Sequence, residues 1–287
     1  MKKLFKVLAL TLAAVLVFAA TGCGKGFDAN KNVSVVTRED GSGTKSAFME
    51  IIGLKGKKDV SGVIVSSSTA AVLAEVKSNP HAIAYDSLGY VTDEVKKLKV
   101  DSVEATAENI KNGSYKISRP LSVVYKESNL SDADKAFFEF LQSANANELI
   151  TNNGYVTYVD DAKAYEKHGV SGKVTLTGST SLQPLMQKLA TAFEEIEKDV
   201  TVTVGGGGSG TGYNDAKNDV SSFGMISEKF KQEKAEGCVS TVVALDGIAI
   251  IVNKENPLDD ISLADLKNIY DADAGDNAIT TWAKLVG

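Results

Sequence analysis

Three short segments of the sequence combine glycine with serine or threonine directly before a predicted helix. They lie at 41–44 (Gly-Ser-Gly-Thr), 177–181 (Thr-Gly-Ser-Thr-Ser) and 208–211 (Gly-Ser-Gly-Thr). The first backbone N–H groups of a helix have no intrahelical partner, and the helix dipole favours negative charge at that end. Glycine lets the backbone approach an anion closely, and each hydroxyl adds a donor. Together the three segments predict a binding site for a small oxyanion.

Arg38 stands four residues before Ser42, at the end of a predicted strand. A guanidinium group offers paired donors that fit a tetrahedral oxyanion, so Arg38 is the predicted cationic ligand. The alternative is a surface ion pair with Glu39 or Asp40. Each glycine segment taken alone is also typical of an ordinary helix cap or turn, so the prediction rests on the three segments and the arginine together.

Neither a nucleotide site nor a catalytic site is indicated. A P-loop ends in Gly-Lys-Ser/Thr, whereas residues 43–45 read Gly-Thr-Lys. His81 and His168 are the only histidines, and neither lies in a nucleophile or metal-ligand pattern. His81 follows Asn-Pro and is typical of a turn, and His168 lies in a polar stretch. We therefore predict no catalytic residue, no metal site and no cofactor.

Composition limits the class of partner. The 287 residues include 31 basic and 37 acidic side chains, a net charge of −6, so no general positive field attracts nucleic acid. A chain of this length accommodates two domains. The two cysteines, Cys23 and Cys238, are too few for a disulfide framework, and Cys238 is predicted to be a small buried residue.

The first residues are typical of an export signal. Three lysines are followed by an apolar run over 7–20 and then by Ala-Thr-Gly-Cys at 20–23. Small residues before a cysteine resemble a bacterial lipobox, although alanine replaces the usual leucine. We predict a signal peptide over 1–22, lipid attachment at Cys23 and a tether over 23–27. The alternative is an ordinary signal peptide with an incidental cysteine. Removal of three lysines leaves 28 basic against 37 acidic residues, a net charge of −9.

The remaining sequence alternates short β-branched runs with helical patterns, which predicts an α/β fold. We predict strands at 33–37, 82–85, 121–125, 174–177, 200–204 and 247–253, and helices at 44–52, 69–77, 132–143, 182–197 and 263–270.

Four segments, at 35–44, 177–184, 206–212 and 246–253, resemble the phosphate-binding proteins of bacterial high-affinity phosphate ABC transporters. The resemblance implies a type II periplasmic-binding-protein fold, in which two lobes close over the ligand in the cleft between them. By position it also implies that phosphate is bound by Arg38, Ser42, Gly43, Thr44, Thr180, Ser181, Ser209 and Ser227.

The order of these segments differs from the usual family order, in which the Gly-Ser-Thr segment precedes the Arg-Glu-Asp segment. The chain therefore resembles a circular permutation, with residues 152–173 joining the former ends. This predicts lobe A from 28–119 plus 254–287 and lobe B from 120–253. The mature N- and C-termini are then expected in the same lobe.

One position departs from part of the family. Some members place an aspartate after Phe-Gly, where a carboxylate accepts the proton of hydrogen phosphate, whereas this chain has Ser227. A hydroxyl both donates and accepts, so the proton acceptor is expected elsewhere. Asp246 and Asp40 are the candidate acceptors, and Glu228 is a third.

The predicted function is capture of inorganic phosphate outside the cell and its delivery to an ABC transporter permease, by a monomer that is attached to the membrane through lipid only. Alternatives are a binding protein for another tetrahedral oxyanion such as sulfate, a phosphate sensor, or a sensor or adhesion module in which the site is vestigial. A phosphoryl-handling enzyme is a further alternative, but it would need a nucleophile beside a base or a carboxylate cluster for metals.

Overall fold

The structure is a computed structural model that describes residues 26–286. The predicted signal peptide and Cys23 lie outside the described residues. The strands are β1 (Ser34–Arg38), β2 (Ile64–Ser66), β3 (Ala82–Ser87), β4 (Lys96–Lys97), β5 (Lys99–Val100), β6 (Ser118–Tyr125), β7 (Val156–Thr157), β8 (Ser171–Gly178), β9 (Asp199–Gly207), β10 (Phe223–Ile226), β11 (Val239–Val252) and β12 (Asp260–Ile261). The helices are α1 (Gly43–Ile51), α2 (Thr69–Ser78), α3 (Ala107–Lys111), α4 (Asp132–Leu141), α5 (Ala144–Asn152), α6 (Gln183–Ile196), α7 (Gly208–Lys217), α8 (Leu263–Tyr270) and α9 (Ala283–Val286).

One mixed sheet runs through the molecule in the order β2-β1-β3-β11-β6-β10-β8-β9. The long strand β11 pairs with β6 along its first part, Val239 to Gly247, and with β3 along its last part, Ile248 to Val252. On one side β1 is parallel to β2 and β3, and on the other β8 is parallel to β9 and β10. Loops that follow parallel strands meet at one edge of a sheet, so each side brings its strand-to-helix loops together.

Two large hydrophobic cores lie on either side of the point where β11 changes its partner from β6 to β3. The first includes Phe48, Tyr85 and Trp282, and the second includes Phe137 and Phe223. Each core removes a continuous apolar surface from water, which is the main force that holds each half together. The two cores confirm the predicted two-lobed α/β architecture. The exact lobe boundaries stay a prediction.

The two ends of the described chain pack against each other in lobe A. Asn32 forms a β-bridge with Thr281, and the Val33 amide donates to the Thr280 carbonyl at 2.9 Å. The indole N–H of Trp282 donates to the His81 carbonyl at 3.0 Å, and its ring is fully buried. Both ends of the described chain therefore pack on the same hydrophobic core, and the circular permutation itself stays a prediction.

All six predicted strands and all five predicted helices overlap observed ones. The largest difference is at β11, which begins at Val239 rather than Gly247 because its first part completes a ladder with β6. The predicted connection at 152–173 also contains β7, which adds to the same strand β11. Within residues 26–286, the helices are all too short or too polar to reach across a bilayer.

Candidate functional site

Arg38 ends β1 and lies almost fully buried, with 1% of its surface exposed. Its guanidinium donates to the Ser66 carbonyl at 3.2 Å and to the Glu39 carboxylate at 2.8 Å. It also donates across the cleft to the Thr180 hydroxyl of lobe B at 3.3 Å. Arg38 does pair with Glu39, but burial of the guanidinium means that this is not a surface ion pair. The charge is held at the boundary between the lobes.

The next element after Arg38 is helix α1, which begins at Gly43. Ser42 caps the helix, since its hydroxyl accepts from the Lys45 amide at 3.3 Å. Gly43 and Thr44 are the first helical residues, whose N–H groups have no intrahelical partner. The Thr44 hydroxyl lies 3.0 Å from the Ser181 hydroxyl of lobe B. A helix N-terminus of lobe A therefore meets the loop that precedes α6.

Thr69 joins this group although the sequence reasoning did not select it. It begins α2, and its hydroxyl lies 3.1 Å from that of Thr180 and 3.3 Å from that of Ser181. An Arg38 nitrogen donates to the same Thr69 hydroxyl at 3.5 Å. The signal was present in the sequence, because Ser68-Thr69 is a fourth hydroxyl-bearing junction between a strand and a helix.

The third glycine segment closes the site from lobe B. Ser209 lies in the first turn of α7, and its hydroxyl is 3.3 Å from the Ser227 hydroxyl and accepts from the Ser227 amide at 3.0 Å. The Gly210 amide donates to the Gly41 carbonyl of lobe A at 2.9 Å. A Cβ added at Gly43 would lie 2.2 Å from the Ser209 oxygen. Only glycine at position 43 permits this approach, so the lobes are closed on each other here.

The structure therefore brings the eight predicted residues into one cluster. Hydroxyl groups, helix-start amides and one guanidinium converge from both lobes, and all but Thr180 are buried. Such an arrangement is rich in hydrogen-bond donors and carries a fixed positive charge, which suits a small multiply charged oxyanion. The members are Arg38, Ser42, Gly43, Thr44, Thr180, Ser181, Ser209 and Ser227.

A second guanidinium lies behind this cluster. Arg119 on β6 donates to Asp246 at 3.0 and 3.3 Å and to the Ser227 carbonyl at 3.2 Å. Asp246 also accepts from the Ser87 hydroxyl at 2.8 Å. Burial raises the pKa of Asp246, although the charge of Arg119 opposes this effect. Asp246, one of the three candidate acceptors, receives these bonds on Oδ2, and its buried Oδ1 has no hydrogen-bond partner among residues 26–286. Arg119 was not singled out from the sequence.

Asp40, the second of the three candidate acceptors, lies outside the buried cluster. Its side chain is 99% exposed, and its carboxylate accepts from the Lys45 amine at 2.9 Å. An exposed carboxylate beside lysine is strongly hydrated and gives little selectivity within a buried site.

Asp86 is a carboxylate that sequence reasoning missed. It lies near the end of β3 and is fully buried. One oxygen accepts from the Ser87 amide at 2.8 Å, while the other has no hydrogen-bond partner among residues 26–286. Burial raises the pKa of Asp86 to about 8, with the Ser87 amide and the charges of Arg38 and Arg119 acting in the opposite direction.

An ion-pair group spans the lobes beside the cluster. Glu228 of lobe B is 2% exposed and accepts from the Ser46 hydroxyl of α1 at 2.5 Å. It also accepts from the amines of Lys231 and Lys234, both at 2.6 Å. Burial disfavours the charged form of Glu228, but the hydrogen bonds from these three residues outweigh it and hold its pKa below the usual value. Glu228 therefore links the closed lobes rather than facing the hydroxyl cluster.

Comparison with known proteins gives one family. The profile of the PBP superfamily domain matches residues 22–145 and 154–287. The phosphate-binding protein PstS 2 of Streptococcus agalactiae serotype V is 35% identical over 99% of this chain and 98% of its own length. The phosphate-binding protein PstS of Bacillus subtilis is 36% identical, but over 45% of this chain and 41% of its own.

A solved structure shows the same architecture. The crystal structure of a phosphate-binding protein of a phosphate ABC transporter from Streptococcus pneumoniae TIGR4 superposes with a TM-score of 0.69. The two chains are 33% identical, and the match covers 88% of this chain and 99% of the other. The streptococcal relatives thus share the segment order of this chain from end to end.

Proposed function

The chain belongs to the PBP superfamily and, within it, to the phosphate-binding proteins of ABC transporters, and from that premise we propose that it binds inorganic phosphate between its lobes and delivers it to an ABC transporter permease outside the cytoplasm. Members of this family are substrate-binding proteins of transporters rather than enzymes. We propose the same for this chain, with binding and release but no turnover.

The observation that carries the proposal is the convergence of the cluster from both lobes. Arg38 supplies the positive charge, and the hydroxyls of Thr44 and Ser181 meet directly across the cleft. Phosphate at the centre of these donors exchanges its hydration shell for fixed protein dipoles. Because donors come from both lobes, binding also favours the closed arrangement, and closure is what a permease can recognise.

Arg38→Ala tests the site directly. Loss of one partner from a buried charge pair costs roughly 2 to 5 kcal/mol, so phosphate affinity should fall about 30-fold to several thousand-fold. Lys58→Ala, which removes an equal charge from an exposed position, is the control and should bind as the wild type does. Calorimetry with phosphate on the two variants gives the answer, and unchanged affinity of Arg38→Ala would rule out the proposed site. Parallel titrations with sulfate distinguish a phosphate-binding protein from a general oxyanion binder.

We also propose the membrane attachment and the permutation. The basic and apolar leader before Ala-Thr-Gly-Cys supports lipid attachment at Cys23, which would hold the monomer on the outer face of the cell membrane. Contact between Asn32 and Thr281 supports a circular permutation, since permutation keeps a fold when its ends are adjacent. The Bacillus subtilis match, which covers less than half of either chain, is consistent with two halves in a different order.

A further inference from the structure

The described chain begins in a small aromatic cluster at one end of lobe A. The Phe27 ring lies edge-on to Trp282, with ring centroids 5.5 Å apart, and it stacks on His81 at 5.7 Å. The Asp28 amide donates to the His81 imidazole at 3.0 Å. Trp282 belongs to the core of lobe A, and Phe27 packs against that core. The folded part of lobe A therefore includes Phe27.

The predicted tether between Cys23 and Phe27 is very short. An extended chain advances at most about 3.5 Å per residue, so four residues place the two Cα atoms at most about 14 Å apart, whatever path the chain takes. A compact protein of this length has a radius of gyration of about 18 Å and is therefore about 45 Å across. A lipid on Cys23 therefore confines one end of lobe A, and no other part of the protein, to the bilayer surface.

The surface around Phe27 is formed by three chain segments. The Trp282 amide donates to the Lys31 carbonyl at 3.2 Å, which joins the last segment to the first. Glu255 lies beside Gly26, where an added Cβ would be 3.5 Å from the Glu255 carboxylate. We call this surface the anchor face, and it comprises residues 26–33, 254–257 and 280–286.

The anchor face differs in charge from the chain as a whole. Lys31, Lys254 and Lys284 are exposed on it, and none of them pairs with a carboxylate among residues 26–286. Its acidic residues are Asp28 and Glu255, so three lysines against two carboxylates give +1, whereas the mature chain carries −9. Basic side chains close to an anionic lipid surface are attracted to it, and acidic ones are repelled. The charges therefore favour the same orientation that the short tether imposes.

The strands of lobe A run from the anchor face to the cleft. β1 begins at Ser34, directly after the first segment of the anchor face, and ends at Arg38 in the hydroxyl cluster. β3 is parallel to β1 and begins at Ala82, next to His81 of the aromatic cluster. Four residue steps along a strand are about 13 Å, so the cluster and lobe B lie at the opposite end of these strands from the anchor face.

We propose that the anchor face is a membrane-contact surface that rests on an anionic lipid bilayer, so that lobe A is held and lobe B is free to close over phosphate. This inference rests on the proposed lipid attachment at Cys23. It adds to that attachment which face of the protein meets the lipid and which lobe moves. Three lysines are too few to hold the protein on a membrane without the lipid, but they help to orient a protein that the lipid already holds.

Lysine footprinting on the lipidated protein tests the contact. The mature protein is placed in vesicles of phosphatidylglycerol and phosphatidylcholine, its lysines are acetylated, and the labelled peptides are quantified by mass spectrometry. The lysines of the anchor face should be labelled several-fold more slowly than Lys173 and Lys198, which are exposed on lobe B and also lack a carboxylate partner within the described chain. These two lysines serve as internal controls.

The matched comparison is a lipidated variant with a longer tether, made by inserting about twenty glycine and serine residues between Lys25 and Gly26. Such a linker spans roughly 25 Å on average and can extend much further, so it no longer confines the anchor face. Labelling of Lys31, Lys254 and Lys284 should rise toward that of Lys173, while phosphate affinity stays at the wild-type value because the folded part is unchanged. Equal labelling of the three lysines in the two proteins would overturn the inference.

Trp282 gives a second measurement that needs no substitution in the folded part. It is the only tryptophan of the chain and lies on the anchor face. Energy transfer from Trp282 to dansyl groups on the lipid headgroups should be strong with the native tether and weaker with the long one, and equal transfer in both proteins would also contradict the inference.

Two other results would reject the premises instead. Absence of lipid on the Cys23 peptide would reject the proposed attachment, and failure of the wild type to bind phosphate would reject the proposed function.

Discussion

Gly43→Ala is the substitution whose effect the structure defines most sharply. Gly43 is the first residue of α1, and its Cα faces the other lobe. An added Cβ would lie 2.2 Å from the Ser209 hydroxyl oxygen, 2.8 Å from that of Ser227 and 3.0 Å from the Ser209 Cβ. Rotation of Ser209 would relieve the first contact but would remove a hydroxyl from the cluster and from the Ser227 amide. The added methyl group therefore hinders closure of the two lobes and hardly changes the stability of lobe A alone.

The magnitude follows from two opposing effects. Within lobe A, alanine is a better helix former than glycine and should stabilise α1 by up to about 1 kcal/mol. In the closed form, an extra carbon in a packed contact costs about 1 to 3 kcal/mol. Phosphate affinity should therefore fall about 5- to 150-fold, while the melting temperature of the ligand-free protein stays the same or rises.

The assay pairs calorimetry with thermal unfolding of the ligand-free protein. Gly210→Ala is the matched control: it makes the same change on the facing helix, where a Cβ would lie 3.5 Å from Gly41, an ordinary contact. We expect near wild-type affinity for Gly210→Ala and weakened binding for Gly43→Ala. Wild-type affinity in Gly43→Ala would show that phosphate is not bound in this closed arrangement, and the steric reasoning would be refuted.

Three further predictions concern other parts of the molecule. Glu228→Gln should weaken phosphate binding several-fold, because Glu228 links Ser46 of lobe A to two lysines of lobe B. Glu233→Gln, which makes the same change at an exposed position, should bind phosphate as the wild type does, and calorimetry on both variants tests this. The contribution of Asp86 to the stability of the ligand-free protein should fall as pH rises from about 4 to about 8, since its raised pKa means that folding favours its protonated form. Chemical denaturation of Asp86→Asn should show this contribution, on the order of 3 to 6 kcal/mol, removed, and a pH profile identical to that of the wild type would contradict it. Cys23→Ala should release the protein from membranes, and membrane retention in fractionation would show that the cysteine carries no lipid.

The donors of the site were predictable because they depend on local chemistry. Glycine followed by serine or threonine before a helical pattern predicts helix-start amides and hydroxyls wherever the rest of the chain lies, as at Ser42 and Ser209. The structure adds the geometry, with Thr44 against Ser181 and Gly43 against Ser209 across the cleft. Those pairings depend on the closure of two lobes, which no local pattern specifies.

The residues behind the donors could not be predicted in the same way. Asp86 and Arg119 lie within strands, and their roles depend on which strands become neighbours. Residues 82–87 predict a buried strand, but only the parallel pairing of β3 with β1 brings the carboxyl end of β3, which includes Asp86, to the same edge of the sheet as Arg38. The length of β11 was missed for the same reason, because its first part is a strand through its ladder with β6, which is more than a hundred residues away in sequence.

The central position of β11 has a consequence for how the protein is made. Before this strand is synthesised, the sheet order leaves β2-β1-β3 as one unit and β6-β10-β8-β9 as another, with no strand to join them. Lobe A also lacks Trp282, which is buried in its core near the end of the chain. A nascent chain therefore cannot complete the β11–β6 ladder of lobe B before Gly247 has been made, nor the core of lobe A before Trp282. The protein should fold late and largely after synthesis, and long-range pairing of this kind is slow.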